Sequence, residues 1–248
     1  MGKIVSVIGN QGGTGNTTLS HMMAHGLGLF RMHAVAILTD SLRDKLSKIN
    51  RNYLPFDARS EENLAQAVAR LRAVEHWTGI IDGGGNRPEM DRKLADMVDR
   101  VILPFRDSHE DMRTVVGDLE RFPNAFALPS QWPTNDWAVG AAQRSMNSLL
   151  TNYGHRILAP VYAPSCSKLL LQDLPPPSPP RGLHNASREI APQVLELLGV
   201  ELRGQRLDAC TARRARPRRA SAQGAAYTFR PLRLTFHRRA RRRGHTQT

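Results

Sequence analysis

The sequence predicts an α/β fold in which a doubly wound, mainly parallel β-sheet is covered by helices on both faces. Short, continuous apolar runs, typical of parallel strands buried on both sides, alternate with segments whose apolar residues recur at helical spacing. This alternation is the pattern of right-handed crossovers between parallel strands. The chain has 248 residues, 40% of them hydrophobic, which is enough for one sizeable core.

Six apolar runs are predicted to be strands. Each has five or six residues and is short enough to span a sheet once. They are residues 3–8, 34–39, 78–82, 100–104, 125–129 and 156–161.

The segments between these runs are predicted to form helices. Ser60 and Ser108 are predicted N-caps, because a serine hydroxyl accepts a hydrogen bond from a backbone N–H of the first helical turn. A last helix is predicted over residues 185–200, after a proline-rich loop at 174–182 that cannot form regular structure. The apolar residues that predict the earlier helices are Leu19, Met22, Met23, Leu27 and Phe30; Leu64, Val68, Leu71 and Val74; and Met112, Val115, Val116 and Leu119.

The positive charge of the chain lies at its C-terminal end. The formal net charge is +13, yet residues 1–202 hold 21 basic and 21 acidic side chains. The sequence therefore predicts one globular domain at 1–202 and an Arg-rich, disordered tail at 203–248. Clustered arginines bind phosphate backbones nonspecifically, so the tail is a candidate DNA-binding segment; an extension without a selected function is the alternative. The candidate DNA-binding residues are Arg213, Arg214, Arg216, Arg218, Arg219, Arg238, Arg239, Arg241, Arg242 and Arg243.

A glycine-rich stretch, IGNQGGTGNTT at residues 8–18, follows the first predicted strand. The turn from the first strand of a parallel sheet into the first helix is the usual phosphate site. Glycines there allow positive φ and let backbone N–H groups point at phosphate oxygens beside a helix N-terminus. The candidate nucleotide-binding residues are Gln11, Gly12, Gly13, Thr14, Gly15, Asn16, Thr17 and Thr18.

Two carboxylates are predicted to lie at the same edge of the sheet as this loop. Asp40 follows the second predicted strand, and Asp82 ends the third within the stretch GIIDGGGN. An apolar strand that ends in Asp is typical of magnesium sites in nucleotide hydrolases, and Thr17 stands where a phosphate loop places its magnesium-binding hydroxyl. Thr17 and Asp82 are therefore candidate Mg²⁺ ligands. Glycines 83–85 are expected to let the backbone approach a γ-phosphate.

These stretches resemble the ParA/MinD family of P-loop ATPases. The family's loop runs KGGxGKTT, which residues 11–18 match except at its lysines, and AVAILTD, GIIDGGGN, DRVILPFRDSHEDM and EIAPQVLELLG extend the resemblance over residues 1–200. The resemblance implies a P-loop fold that binds ATP and Mg²⁺ and forms a homodimer. It also implies a role in plasmid or chromosome partition, or in a related positioning or transfer step of a mobile element. That role in turn implies a partner protein of the centromere-binding type and a cytoplasmic, nucleoid-associated location.

The chain departs from the family at both lysines of the loop. Gln11 replaces the lysine that reaches across the dimer, and Asn16 replaces the lysine that contacts the β- and γ-phosphates of the bound nucleotide. An amide carries no charge, so we expect weak or absent hydrolysis. Asp40 matches one of two family acidic residues and is the candidate catalytic residue that orients the attacking water. Arg43 and Lys45 are nearby side chains that could supply the missing charge.

Other interpretations stay open. A nucleotide-independent dimeric adaptor would use the same fold only to meet its partners, and a glycine-rich turn need not bind a ligand. Gly9, Gly13 and Gly15 also fit the turn of NAD-dependent short-chain dehydrogenases, in which Asp40 would bind a ribose hydroxyl. No tyrosine has a lysine four residues later, so the catalytic pair of those enzymes is absent.

Composition argues against several other classes. The two cysteines, Cys166 and Cys210, have no CxxC-type partners, which argues against a disulfide framework or a zinc site. No apolar run approaches the roughly 18 residues of a membrane span, and a cytoplasmic protein is expected. His21 and His25 are spaced four residues apart on the first predicted helix and are expected to lie on a solvated face.

Overall fold

Six parallel strands form a single sheet in the computed structural model, which describes residues 1–9, 13–40, 45–85, 87–162 and 165–201. The strands are β1 (Lys3–Val7), β2 (His33–Leu38), β3 (Leu54–Asp57), β4 (Trp77–Asp82), β5 (Arg100–Phe105) and β6 (Ala125–Pro129). Their order across the sheet is β3-β2-β4-β1-β5-β6, and every neighbouring pair is parallel.

Helices follow five of the six strands, and two of these helices begin directly after the predicted N-caps. The helices are α1 (Asn16–Leu29), α2 (Glu61–Ala73), α3 (Pro88–Met97), α4 (His109–Arg121), α5 (Asp136–Leu149) and α6 (Arg181–Leu197), with 3₁₀ helices at Thr151–Arg156 and Ser165–Leu171. The Ser60 hydroxyl accepts a hydrogen bond from the Asn63 N–H, and the Ser108 hydroxyl accepts one from the Asp111 N–H, each at 3.1 Å. Both predicted N-caps are therefore confirmed.

The sheet has a hydrophobic core on each of its faces. Alternate residues of a strand point to opposite faces, so Ile4 and Ile8 pack with apolar residues of α2, α3, α4 and α5. Val5 and Val7 pack on the other face with apolar residues of α1 and α6. The predicted doubly wound α/β architecture is confirmed.

Two predictions about regular structure differ from the fold. Residues 156–161 do not form a strand. Ile157 forms an isolated bridge to Ala127 in β6, and Val161 forms one to Ser130, the residue after β6. Pro160 between them has no N–H to donate to a continuous ladder. The edge strand β3 and the helices α3 and α5 are not among the predicted elements. The proline-rich loop has no helix or strand over 174–180, and α6 begins at Arg181, inside the predicted loop and ahead of the predicted helix start at 185.

The histidines of α1 are buried, so the expectation of a solvated face is wrong. His21 Nδ1 lies 2.7 Å from the Tyr53 hydroxyl, and His25 Nδ1 lies 2.7 Å from Asn52 Oδ1. The ring of His25 also contacts that of His184 on α6, with centroids 5.2 Å apart. Burial lowers the pKa of His25, although the hydrogen bond to Asn52 opposes this effect.

The strand order brings the predicted site residues together at one edge. β4 lies between β1 and β2, and Asp82 is in register with Val7 on one side and Leu38 on the other. The loop after β1, the residue Asp40 after β2 and the end of β4 therefore meet at the carboxyl edge of the sheet, where such folds bind ligands.

Gln11, Gly12, Arg43 and the whole Arg-rich tail lie outside the described residues, so the roles predicted for them stay predictions, as does the domain boundary at 202. Within the described part, no helix is long and apolar enough to cross a membrane. In the same ranges, no group of three or more His, Cys, Asp and Glu side chains is arranged to hold a metal ion.

Candidate functional site

Two glycines in the left-handed conformation shape the loop before α1. The φ angles of Gly13 and Gly15 are +84° and +90°, and Gly15 is the N-cap of α1. A Cβ atom at Gly15 would lie 3.2 Å from Gln131 Nε2, so a larger residue is unfavourable for both backbone and space. No side chain of the described residues caps α1, and its first backbone N–H groups are therefore available to an anion.

The loop opens onto a cleft of about 890 Å³. Residues 13–19 form one wall, and Asp40, Gly84 and Gly85 border it at the ends of β2 and β4. The other lining residues come from the loop after β6, Tyr162, the 3₁₀ helix Ser165–Leu171 and the first turns of α6. Thr14, Asn16, Thr17, Thr18 and Asp40, which the sequence selects, all line this one cleft.

Asn16 uses both ends of its side-chain amide within the protein. Its Oδ1 accepts a hydrogen bond from Thr14 Oγ1 at 2.9 Å, and its Nδ2 donates to the Gly84 carbonyl at 2.6 Å. The side chain is buried, so these bonds replace water. The residue in the position of the family lysine therefore ties the loop to the turn after β4.

Asp82 is fully buried at the end of β4, beneath the turn that Asn16 contacts. Its Oδ1 accepts a hydrogen bond from the Gly84 N–H at 3.2 Å. A Cβ atom at Gly83 would lie 2.4 Å from Ile8 Cγ2, so Gly83 is needed for close packing on the residue after β1. The structure therefore explains Gly83 by packing, whereas the sequence predicted that this glycine lets the backbone approach a γ-phosphate.

Arg87 holds the ends of β2 and β4 together. Its guanidinium donates to the Thr39 carbonyl at 3.2 Å, to the Thr39 hydroxyl at 2.7 Å and to the Gly83 carbonyl. The Thr39 hydroxyl in turn donates to the Asp82 carbonyl at 2.7 Å. Sequence reasoning missed Arg87, because it lies in a polar turn and its bonds to Thr39 join residues 48 positions apart. Its bonds fix the backbone that carries Asp40 and Asp82.

The loop after β6 supports the glycine-rich loop from the other side. Ser130 Oγ donates to the Thr14 carbonyl and Gln131 Nε2 donates to the Gly13 carbonyl, each at 3.0 Å. Sequence reasoning found no role for these residues, and no local pattern would have predicted it. Together with the bonds of Asn16, these bonds hold residues 13–16 of the loop from two sides. The protein's own contacts therefore shape this part of the loop.

Most of the basic side chains near the cleft are paired. Arg106 Nε donates to Asp111 Oδ2 at 2.8 Å, and Lys45 Nζ lies 3.4 Å from Asp57 Oδ2. Hydrogen bonds from Arg59, with a smaller contribution from Lys45, hold the pKa of Asp57 at about 2. Lys45 does not line the cleft in this structure, and its supply of the missing charge stays a prediction. Lys168, on the 3₁₀ helix Ser165–Leu171, is the one basic residue among the described residues that line the cleft.

Comparison with solved structures identifies the same architecture in several proteins. An McdA–ATP complex from Cyanothece superposes with a TM-score of 0.57 at 17% identity, covering 82% of this chain and 99% of that one. MinD from Pyrococcus horikoshii in complex with Mg-ADP gives 0.56 at 16% identity, covering 80% and 98%. A plasmid partition protein from Borrelia burgdorferi bound to AMPPNP gives 0.53 at 12%, covering 79% and 97%. No family model and no curated sequence matches the chain.

The chain therefore has the fold of the ParA and MinD P-loop ATPases. Its strand order also contradicts the short-chain dehydrogenase interpretation. Dinucleotide-binding sheets have the order 3-2-1-4-5-6, in which the first strand lies beside the second. Here β4 separates β1 from β2, so the glycine-rich loop and Asp40 do not follow neighbouring strands.

Proposed function

We propose that the chain is a ParA/MinD-like nucleotide-binding protein that binds ATP with Mg²⁺ in the cleft before α1. The observation that carries this proposal is the loop itself, with two left-handed glycines at an uncapped helix N-terminus that opens onto a cleft of about 890 Å³. Backbone N–H groups in this arrangement suit phosphate oxygens. The ATP, ADP and AMPPNP complexes of the similar structures support the same ligand class.

Thr17 and Asp82 are the proposed Mg²⁺ ligands. Thr17 lies in the first turn of α1 and lines the cleft. Asp82 is fully buried at the end of β4 and does not itself line the cleft, but its neighbours Gly84 and Gly85 do. Hydroxyl and carboxylate oxygens are ligands that Mg²⁺ accepts, with water and phosphate completing the shell. Bound Mg²⁺ would neutralise part of the phosphate charge. Gly13, Gly15 and Thr18 would surround the phosphates.

Hydrolysis is expected to be weak or absent. The family position for a phosphate-binding lysine holds Asn16, a neutral side chain whose amide bonds to Thr14 and Gly84. Charge that develops on a transferred phosphoryl group would therefore lack one cation that P-loop enzymes use. Asp40 borders the cleft and is the candidate to orient an attacking water. Gln11 carries no charge in the position of the second family lysine.

The cellular role that suits such a site is positioning of DNA or another cargo. McdA, MinD and a plasmid partition protein are among the similar structures. We infer a homodimer that acts in plasmid or chromosome partition, or in a related positioning or transfer step of a mobile element, with a centromere-binding type of partner. The tail, with 14 arginines and Asp208 as its one acidic residue, would hold the protein on nucleoid DNA.

Thermal unfolding of the full chain with Mg-ATP tests nucleotide binding. A ligand at a hundredfold excess over its Kd stabilises by about 2.7 kcal/mol, so the melting temperature should rise by roughly 5 to 10 °C. The Thr17→Val variant keeps the side-chain shape without the hydroxyl and should lose the Mg²⁺-dependent part of this rise. Nucleotide held by the tail arginines alone would not respond to Thr17→Val. An unchanged melting temperature at millimolar Mg-ATP would reject the proposal.

A nucleotide-independent dimeric adaptor is the second candidate, because hydrogen bonds within the protein hold residues 13–16 of the loop without a ligand. These bonds are formed by Thr14, Asn16, Ser130 and Gln131. This candidate predicts a dimer by sedimentation whose melting temperature and dimer dissociation are the same with and without Mg-ATP.

DNA binding by the tail is tested on the full chain by mobility shift at several salt concentrations. Each phosphate that an arginine neutralises contributes about −0.9 to the slope of log K against log salt. Replacement of Arg241, Arg242 and Arg243 by Gln should therefore flatten the slope by about 2 to 3. The same slope for both proteins would show that this cluster does not contact DNA.

A further inference from the structure

The cleft needs a cation that the glycine-rich loop does not provide. The described residues that line it include two carboxylates, Asp40 and Glu189, and one basic side chain, Lys168. A triphosphate remains an anion even with Mg²⁺ bound, and two nearby carboxylates would repel it. Asn16 cannot supply the charge, since it is neutral and bonded to Gly84.

Three other basic residues near the site have partners, although none of the three lines the cleft. Arg87 bonds to Thr39 and Gly83, Arg106 bonds to Asp111 through Nε and Nη2, and Lys45 Nζ lies 3.4 Å from Asp57 Oδ2. Lys168 is exposed, and among the residues that the structure describes no hydrogen bond or ion pair holds its Nζ. Its ammonium group is thus free to turn toward an anion in the cleft.

The backbone that carries Lys168 is firmly attached to the protein. Leu170, two residues later, is buried in the core formed with α1 and α6. Arg51 Nη1 donates to the Leu170 carbonyl at 2.7 Å, and its Nη2 donates to the Gln172 carbonyl at 2.5 Å. Arg51 also donates to the Tyr53 hydroxyl, which contacts His21 on α1.

This chain of contacts fixes the Lys168 helix relative to α1, whose N-terminus is the phosphate cradle. The backbone of Lys168 is fixed, whereas its side chain can turn. A lysine ammonium group binds phosphate as a point charge, so a lysine of this kind is a suitable phosphate ligand. We infer that Lys168 is the phosphate-binding cation of this site. It takes over the role of the lysine that the ParA/MinD family has at the position of Asn16. The inference rests on the proposed binding of Mg-ATP.

Calorimetric titration of the full chain with Mg-ATP, Mg-ADP and adenosine tests this role. Lys168→Ala removes one charge-assisted hydrogen bond to a phosphate and should therefore weaken Mg-ATP binding by roughly 10- to 100-fold. Adenosine has no phosphate, so its binding should not change. Lys168→Arg keeps the charge and should retain most of the affinity. Lys93→Ala is the matched control, since Lys93 pairs with Glu61 on the surface at 2.7 Å and should bind Mg-ATP as the parent does.

A second readout does not depend on affinity. Acylation of lysine amines, followed by peptide mass spectrometry, should show that Mg-ATP slows modification of Lys168 and leaves that of Lys93 unchanged. The tail has no lysine, so polyanion bound there does not alter these two signals. Circular dichroism of Lys168→Ala should match that of the parent, because the side chain is exposed.

The outcomes separate this inference from the function on which it rests. A parent chain that gains stability from Mg-ATP, with Lys168→Ala binding equally well or Lys168 equally reactive, would overturn the role of Lys168 and leave nucleotide binding intact. A parent chain that does not bind Mg-ATP would overturn both. Selective loss of phosphate-dependent affinity in Lys168→Ala, with protection of the lysine in the parent, would establish the role.

Discussion

Asn16 Nδ2 donates a hydrogen bond of 2.6 Å to the carbonyl of Gly84, a residue 68 positions later in the chain. The bond joins the glycine-rich loop after β1 to the turn after β4, which carries Asp82. In the KGGxGKTT loop that residues 11–18 resemble, a lysine stands at this position. Asn16 therefore differs from that pattern by more than a lost charge, because its amide forms a contact between two loops.

Asn16→Ala should destabilise the protein by about 1 to 3 kcal/mol, because the buried Gly84 carbonyl and the Thr14 hydroxyl lose their partner. The free energy of unfolding in urea measures this effect. Gln66→Ala is the control, since Gln66 is exposed and its Nε2 donates to the exposed Glu62 at 3.3 Å; the effect should be within about 0.5 kcal/mol. Equal stability of Asn16→Ala and the parent would show that the bond does not hold the loop.

Asn16→Lys should increase the rate of Mg-ATP hydrolysis. It returns a charge that can stabilise the transferred phosphoryl group, and one such group is worth about 100- to 1000-fold in rate. Phosphate release under saturating Mg-ATP measures the change. Asn16→Gln keeps an amide without a charge and should not raise the rate. Rapid hydrolysis by the parent, equal to that of Asn16→Lys, would contradict the account of the missing charge.

The parts of the fold that local sequence determines could be predicted. Buried strands such as β1 and β5 are continuous apolar runs, and the caps at Ser60 and Ser108 depend on hydroxyls within three residues of their donors. The edge strand β3 was missed because it contains Pro55, which is tolerated only where its missing N–H is not needed. The helix α3 was missed because half of its ten residues are charged and only three of its residues are buried.

The candidate site could be predicted in its position but not in its contacts. The glycines, Thr17, Asp40 and Asp82 were found because strand ends carry them to one edge. The bonds from Asn16 to Gly84, from Arg87 to Thr39 and from Gln131 to Gly13 join residues 48 to 118 positions apart, so no local pattern reveals them. Burial of His21 and His25 likewise depends on residues 52 and 53, just before β3, and on α6, all distant from α1 in the chain.

Asp111→Asn should destabilise the protein at neutral pH. Burial alone would raise the pKa of Asp111, but hydrogen bonds from Arg106 and Ser108 outweigh it and hold the pKa below the ordinary 3.8. The stabilising contribution of this carboxylate is therefore present above about pH 4 and is lost as the pH falls through its folded-state pKa. Loss of charge-assisted bonds to Arg106 should cost about 1 to 3 kcal/mol at pH 7.

The melting temperatures of Asp111→Asn and of the parent are measured at pH 7 and pH 3. The difference between the two proteins should be smaller at pH 3. Asp107→Asn removes an exposed charge four residues earlier and should have little effect at either pH. A deficit of Asp111→Asn that is equally large at both pH values would mean that packing, not the charge, accounts for it.

Asp91→Asn should stabilise the protein at neutral pH, the opposite of Asp111→Asn. Asp91 on α3 is 2% exposed, and among the described residues its Oδ1 has no hydrogen-bond partner. Burial raises its pKa to about 6; Arg87 and Arg121 oppose this shift, and Asp118 adds to it. The folded protein therefore holds the proton more tightly than the unfolded chain, whose ordinary value is 3.8.

The favourable contribution of protonated Asp91 is fully present below about pH 4 and is lost as the pH rises through about 6. Asn imitates the neutral carboxyl at every pH, so Asp91→Asn should gain about 1 to 2 kcal/mol over the parent at pH 7.5, after allowance for solvent screening. At pH 3.5, below both pKa values, the gain should nearly disappear. Urea unfolding at both pH values measures it, with Asp96→Asn, an exposed carboxylate on the same helix, as the control. A loss of stability in Asp91→Asn at pH 7.5 would mean that the charged carboxylate is held by favourable contacts and that its burial is not the dominant effect.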